Sequence, residues 1–306
     1  MRDVVMVGAG PAALTAAIYT TRESIDTIAY EKGNIGGLAA TTDWIDNYPG
    51  YAEGVAGMKL ATELQAQAER FGAEVDYGEV SGIEQKGDHL VVTVDGKPVE
   101  TKTVLIATGS EYKKLGVPGE AEYYSRGVHY CATCDGAFYK DRRVAIIGGG
   151  NSGVQEALFM TRYATHIDLI VRSELRASEV LLKRLKEASD QITVYTNVTT
   201  EEILAKDDKV TGVRIKEKKT GDEQVIDTEG VFVFIGLVPN SQFLEGSDVK
   251  LDDQGMVVAD ESLQTTMPGV FVAGDVRSGA TAQIASAVGE GARAALAIRE
   301  YLESKK

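Results

Sequence analysis

The sequence predicts an α/β protein of two domains built to one plan, the second inserted into the first. Three observations predict it. An apolar strand runs into a glycine-rich turn and then a helix at Val4, and the same pattern returns at Val144. Two further apolar runs end in glycine, 104–109 and 231–236, each placed to return the chain to a sheet beside one of these units. A last apolar run, 270–273, ends at Gly274-Asp275 and opens no third unit, so it completes the first sheet.

The first unit reads strand, turn, helix, strand. Val4-Val5-Met6-Val7 is a short buried strand, and Gly8-Ala9-Gly10-Pro11-Ala12-Ala13 is a G-x-G-x-x-A turn. A helix follows over 14–21 and a strand over 27–30, closed by Glu31, 23 residues after Gly8. Gly8 and Gly10 let the backbone close on a pyrophosphate, which rests on amides at the start of the helix, near Pro11 and Ala12. Glu31 accepts hydrogen bonds from a ribose diol and repels a 2′-phosphate, which suits FAD.

The second unit has the strand Val144-Ala145-Ile146-Ile147 and the turn Gly148-Gly149-Gly150-Asn151-Ser152-Gly153, a G-x-G-x-x-G. Its helix spans 154–163 and its second strand 167–171. The position 23 residues after Gly148 is Val171, with Arg172 next and Arg176 nearby. Arginine pairs bidentately with phosphate, so this site favours NADPH over NADH. Both units carry the Rossmann fingerprint in its strand–turn–helix context. The fold class is therefore two Rossmann-like, three-layer ββα-type nucleotide-binding domains. The FAD-binding domain takes residues 1–112 and 242–306, and the NAD(P)H-binding domain takes 113–241. Hinges fall near 110–114 and 239–243.

Between these landmarks, 58–71 reads as an amphipathic helix. Residues 75–104 alternate as strands with turns at Gly87-Asp88 and Asp95-Gly96, and 192–234 repeats such a meander. An alanine-rich helix runs over 279–302.

The composition excludes several functions. With 46 acidic and 32 basic residues among 306, the net charge of −14 repels phosphate backbones and anionic membrane surfaces. No apolar run approaches the roughly 20 residues that span a bilayer. The N-terminus leads straight into strand and turn rather than a signal peptide, which makes a cytoplasmic location the expectation. Two cysteines and three scattered histidines, His89, His129 and His166, do not make the usual four-ligand zinc site, so no metal is expected.

Both cysteines lie in Cys131-Ala132-Thr133-Cys134. In a reducing compartment such a pair reads as a redox couple rather than a staple. If the segment starts a helix, the geometry closes a small disulfide and the helix terminus favours the nucleophilic thiolate. Asp135 follows at once, a carboxylate able to shuttle a proton during exchange.

These residues resemble the low-molecular-weight thioredoxin reductases over essentially the whole chain. The most specific likeness is Cys131-Ala132-Thr133-Cys134-Asp135-Gly136 followed by Gly148-Gly149-Gly150-Asn151-Ser152. The segment from Gly36-Gly37 through Asp46-Asn47-Tyr48-Pro49-Gly50 is similar to the family's flavin-contacting loop, with Leu38 beside it. Gly274-Asp275-Val276 resembles its ribityl-binding motif, and Ala282-Gln283 stands where an Arg-Gln pair is common. Thr108-Gly109, at the end of its strand, joins the same cofactor set.

The resemblance implies that electrons pass from NADPH to FAD, to the Cys131–Cys134 disulfide, and on to thioredoxin or a thioredoxin-like protein. Cys134 would face the flavin, Cys131 would attack the partner disulfide and Asp135 would act as acid/base. The resemblance also implies a homodimer, and a rotation of the inserted domain that alternately presents nicotinamide and disulfide to the flavin. A chain that opens on its fingerprint implies no N-terminal extension. Departures from the family keep other donors open. Leu38 replaces a glutamine, Gly153 an alanine, and Val171 and Ser173 part of a basic cluster, which leaves NADH or reduced ferredoxin as alternatives. Two rival functions share the residues: a flavin dithiol oxidase passing electrons to oxygen, and a non-enzymatic flavin redox sensor.

Overall fold

The computed structural model describes residues 1–42, 44–45 and 47–305. The chain divides into two compact units, Met1–Glu111 with Val238–Lys306, and Tyr112–Leu237. The two crossing segments, strands Ser110–Tyr112 and Leu237–Pro239, pair with each other.

In the first unit the strand Arg2–Val7 lies between Thr27–Glu31 and Lys97–Ile106, all parallel. Glu74–Tyr77 extends the sheet beyond Thr27–Glu31, and Val270–Val272 pairs in parallel with Lys97–Ile106. The late strand thus joins the first sheet, as its position after the insertion requires. His89–Val94 and Val80–Lys86 add an antiparallel meander to Lys97–Ile106.

Side chains alternate across each strand. Val4 and Met6 pack with Leu14, Leu60, Leu64 and Ile298 from the helices Pro11–Arg22, Gly57–Arg70 and Ile284–Ser304. Val5 and Val7 pack on the opposite face with Val92, Val104, Ile106 and Val270. Both faces are buried, which is why the strand reads as a continuous apolar run rather than an alternating one.

The second unit repeats this plan. Its parallel sheet runs Ile192–Thr196, His166–Val171, Arg143–Ile147, Gly230–Val233, Val128–His129. Val144 and Ile146 face the helix Asn151–Met160, while Ala145 and Ile147 face the antiparallel layer Val198–Lys206, Lys209–Glu217 and Glu223–Asp227. Each unit therefore stacks helices, a parallel sheet and an antiparallel layer.

Three elements differ from the sequence reading. Ile192–Thr196 belongs to the parallel sheet, paired with His166–Val171, and not to the meander. It is an edge strand with mostly exposed side chains, so its period of two fits either partner. The last helix begins at Ile284, because Gly279 is left-handed (φ 75°) and Gln283 is extended. The helix Glu179–Glu187 was not foreseen; it is short and buries little beyond Leu185.

The last helix lies close against the first. A β-carbon at Gly291 would fall 2.1 Å from the carbonyl oxygen of Ala12. Gly291→Ala is expected to cost about 1–3 kcal/mol by overpacking. The measurement is the urea midpoint of the purified protein, and an unchanged midpoint would contradict this crossing.

Candidate active site

The first glycine turn is built by backbone contact. Gly8 is left-handed (φ 94°), and a β-carbon there would lie 2.6 Å from the Ala107 carbonyl oxygen and 3.1 Å from the Thr108 Cα. The turn thus rests on the end of the neighbouring strand, beside Thr108 and Gly109. Gly10 caps the helix whose first residue is Pro11. Both Glu31 oxygens accept backbone N–H groups at 2.8 Å, Oε2 from Ala9 and Oε1 from Gly33. The carboxylate braces the turn while each oxygen keeps lone-pair capacity for a diol.

Of the other predicted residues of this unit, Gly36, Gly37 and Gly274 lie against this turn and the helix that follows it. Gly36 N–H donates to the Ala9 carbonyl at 2.8 Å, and a β-carbon on Gly37 would lie 3.7 Å from Gly10 Cα. One on Gly274 would lie 3.2 Å from Ala12 Cβ. Asn47 Nδ2 donates to Gln283 Oε1 at 3.0 Å, joining two predicted residues 236 positions apart. Leu38 is exposed, and Ala282 is half-buried one residue before Gln283. The Thr108 hydroxyl is engaged elsewhere, donating to the Asn240 carbonyl at 2.7 Å. Asp46 of the quoted loop lies outside the described residues.

Asp275 carries a clear electrostatic signal. Its Oδ1 is buried with no hydrogen-bond partner. Its carboxyl is pushed up to about 6, first by burial and second by the charge of Glu290. Glu290 was missed in the sequence. It accepts Gly274 N–H at 2.8 Å and Arg277 Nη2 at 2.5 Å, fixing the backbone beside Asp275. It sits on an alanine-rich helix with nothing local to mark it.

In the second unit the turn is tighter still. Gly148 (φ 146°) would place a β-carbon 2.2 Å from the Phe234 carbonyl oxygen, and Gly153 would place one 2.2 Å from that of Gly148. Gly149 would meet Val171 at 2.3 Å, so the apolar residue in the acid's place forms a wall of the turn. Arg176 N–H donates to the Gly149 carbonyl at 2.7 Å, and Asn151 Oδ1 accepts Ser178 N–H at 2.8 Å. The loop carrying Arg172 and Arg176 is thereby tied to the turn. Gly150, Ser152 and both arginine side chains are exposed, and neither arginine forms an ion pair among the described residues.

Cys131 and Cys134 are joined as a disulfide. The pair opens the four-residue helix Ala132–Asp135, in which Cys134 N–H donates to Cys131 Sγ at 3.1 Å. Asp135 Oδ2 lies 3.3 Å from Nδ1 of buried His129, whose Nε2 is 2.7 Å from the Tyr139 hydroxyl. His129 and Tyr139 were not singled out in the sequence. The signal was proximity to Cys131, which by itself says nothing about side-chain direction.

The family description pyridine nucleotide-disulphide oxidoreductase matches residues 2–291. The chain belongs to that family. Among curated members, it is 39% identical over 305 residues to the thioredoxin reductase of Listeria monocytogenes, covering 99% of this chain and 95% of that one. Against the Bacillus subtilis thioredoxin reductase it is 38% identical over 302 residues, covering 98% and 95%. The crystal structure of thioredoxin reductase from Streptococcus pyogenes superposes with a TM-score of 0.92 at 39% identity, covering 99% of both chains.

Family membership implies a flavin and a pyridine nucleotide, and the residues fit a flavin. The glycine turn leaves room for a pyrophosphate, and the orphaned Asp275 Oδ1 is an acceptor awaiting a hydroxyl donor. Asp275 also makes a pH prediction. Its folded value is raised above the ordinary 3.8, so its stability contribution is present below 3.8 and lost as pH rises through about 6. Asp275→Asn should remove up to ~3 kcal/mol of that loss in flavin-free protein and weaken flavin retention by about tenfold. Denaturation midpoints across this range, and the ratio of flavin to protein absorbance, check both halves. Unchanged flavin retention would contradict the assignment of Asp275.

Proposed function

We propose that the protein is a thioredoxin-disulfide reductase that takes electrons from NADPH. The observation that carries this reading is the Cys131–Cys134 disulfide with Asp135 adjoining it, in a unit that also holds a second nucleotide turn. The first unit is assigned to FAD and the second to NAD(P)H. Bound FAD would supply the conversion of a nicotinamide hydride into the electron pair that opens the disulfide.

The chain's own residues do the rest. Gly8, Gly10 and the amides after Pro11 hold a pyrophosphate, Glu31 an adenosine ribose, and Asp275 a ribityl hydroxyl. Gly36, Gly37, Leu38, Asn47, Thr108, Gly109, Ala282 and Gln283 line the remainder of that site. Gly148, Gly150, Asn151, Ser152 and Gly153 hold the dinucleotide phosphates in the second unit. Arg172 and Arg176 pair with a ribose 2′-phosphate. Cys131 attacks the partner disulfide, Cys134 resolves the mixed disulfide, and Asp135 moves the proton. The protein works as a homodimer in the cytoplasm.

Val171 in place of an acid supports NADPH, since no carboxylate at that position repels a 2′-phosphate. NADH and reduced ferredoxin are the alternative donors, and transfer of dithiol electrons to oxygen is the alternative direction. Anaerobic titration with NADPH and with NADH, followed by flavin absorbance, separates them. NADPH is expected to bleach the flavin within the turnover time, and a flavin left yellow by NADPH would overturn the donor assignment. Replacing Arg172 and Arg176 together by Ala should raise the KM for NADPH by about 10–100-fold while leaving that for NADH near its original value. Steady-state kinetics with each nucleotide measure this. Cys134→Ser should still accept hydride at the flavin yet fail to reduce thioredoxin, and full thioredoxin activity in that variant would refute the electron route.

A further inference from the structure

His129 is buried at 7% exposure between three side chains of its own unit. Its ring stacks on Phe232 with centroids 5.1 Å apart. Nε2 lies 2.7 Å from the Tyr139 hydroxyl, and Nδ1 lies 3.3 Å from Asp135 Oδ2. Tyr139 is held edge-on against both rings, and a β-carbon on Gly230 would fall 2.1 Å from Tyr139 Cε1. The hydroxyl therefore has little freedom to leave His129.

The contacts choose a protonation pattern. Burial holds the Tyr139 hydroxyl well above the usual phenol range, so it keeps its proton and can donate. Donation to Nε2 leaves the imidazole proton on Nδ1, facing the Asp135 carboxylate. The reverse tautomer would leave the Tyr139 proton without an acceptor in a buried site. Other charges nearby are accounted for. Arg142 and Glu229 face Tyr139 and lie 3.7 Å apart as a pair. Tyr163 stands over Gly136, and Glu156 sits on the helix packed against the Cys134 segment, its carboxyl raised by burial alone.

The exchange chemistry needs such a device. The Cys131 thiolate bonds one partner sulfur and expels the other as a thiolate. The Cys134 thiolate then bonds Cys131 sulfur, restoring the internal disulfide and expelling the second partner thiolate. Two electrons leave with the partner, and the two protons of the Cys131 and Cys134 thiols must follow. We propose that His129 is a positioning residue for this proton transfer, its Nδ1–H orienting the Asp135 carboxylate and its Nε2 locked by Tyr139. The inference rests on the reading of Asp135 as acid/base given above.

The test is made on the oxidised holoprotein. With three histidines in the chain, side-chain ¹⁵N spectra are simple, and loss of one set in His129→Asn assigns His129. The expected pattern is a protonated Nδ1 and a bare Nε2; the opposite tautomer would overturn the proposal. His129→Leu should lower kcat for thioredoxin reduction by about tenfold and move the acid limb of its pH profile, while His129→Asn, which keeps an N–H near Nδ1, restores both. An unmoved limb, or equal displacement by Leu and Asn, would reject the positioning role. Should His129→Leu fail to fold, Tyr139→Phe decides the matter. It keeps the ring and is expected to release the single tautomer into a mixture, and an unchanged ¹⁵N pattern would count against the proposal. The two levels separate cleanly. Full turnover in Asp135→Asn refutes the acid/base reading, whereas lost turnover there with a kcat pH profile indifferent to His129 refutes this inference alone.

Discussion

The first unit depends on one constraint, the approach of backbone to backbone around the turn that follows Arg2–Val7. Gly8 sits against the carbonyl of Ala107, Gly274 against Ala12, and Gly291 against the Ala12 carbonyl, each too close for a β-carbon to enter without displacement. Small residues here draw the first helix onto the sheet and onto the last helix together. The helix N-terminus is thereby held at the strand ends, where its free amides can meet an anion. The second unit solves the same problem with Gly148, Gly149 and Gly153.

Carboxylates then finish what the glycines begin. The protein carries a net charge of −14, yet Glu31 and Glu290 at the first site are held by internal donors rather than left as open negative surface. Glu31 ties Ala9 to Gly33. Glu290 ties Gly274 to Arg277, and its charge helps keep the neighbouring Asp275 partly protonated. Asp275 is left as a buried acceptor, a cost that the unliganded chain carries and that a hydroxyl donor would offset.

The redox segment uses local geometry of a different kind. Four residues of helix suffice to set Cys131 and Cys134 in bonding distance, because Cys131 occupies the capping position and Cys134 N–H turns back to its sulfur. The residues that surround Asp135 come from elsewhere: His129 from a two-residue strand, Tyr139 from the following turn, Phe232 from the strand behind.

What the sequence determined by itself were the features whose physics is local. Glycines at fixed spacing demand turns, doubly buried strands demand continuous apolar runs, and a C-x-x-C can close on itself. From these came the two Rossmann-like units, the return of residues 270–272 to the first sheet and the disulfide. The family likeness supplied the role expected of Asp275, which no spacing encodes. Only the tertiary structure decided the rest, because it depends on which distant segments meet. It moved Ile192–Thr196 into the parallel sheet, since an edge strand's alternation does not name its partner. It joined Asn47 to Gln283, placed Glu290 behind Asp275 and turned His129 toward Asp135. Each of these is a side-chain direction fixed by packing across the fold.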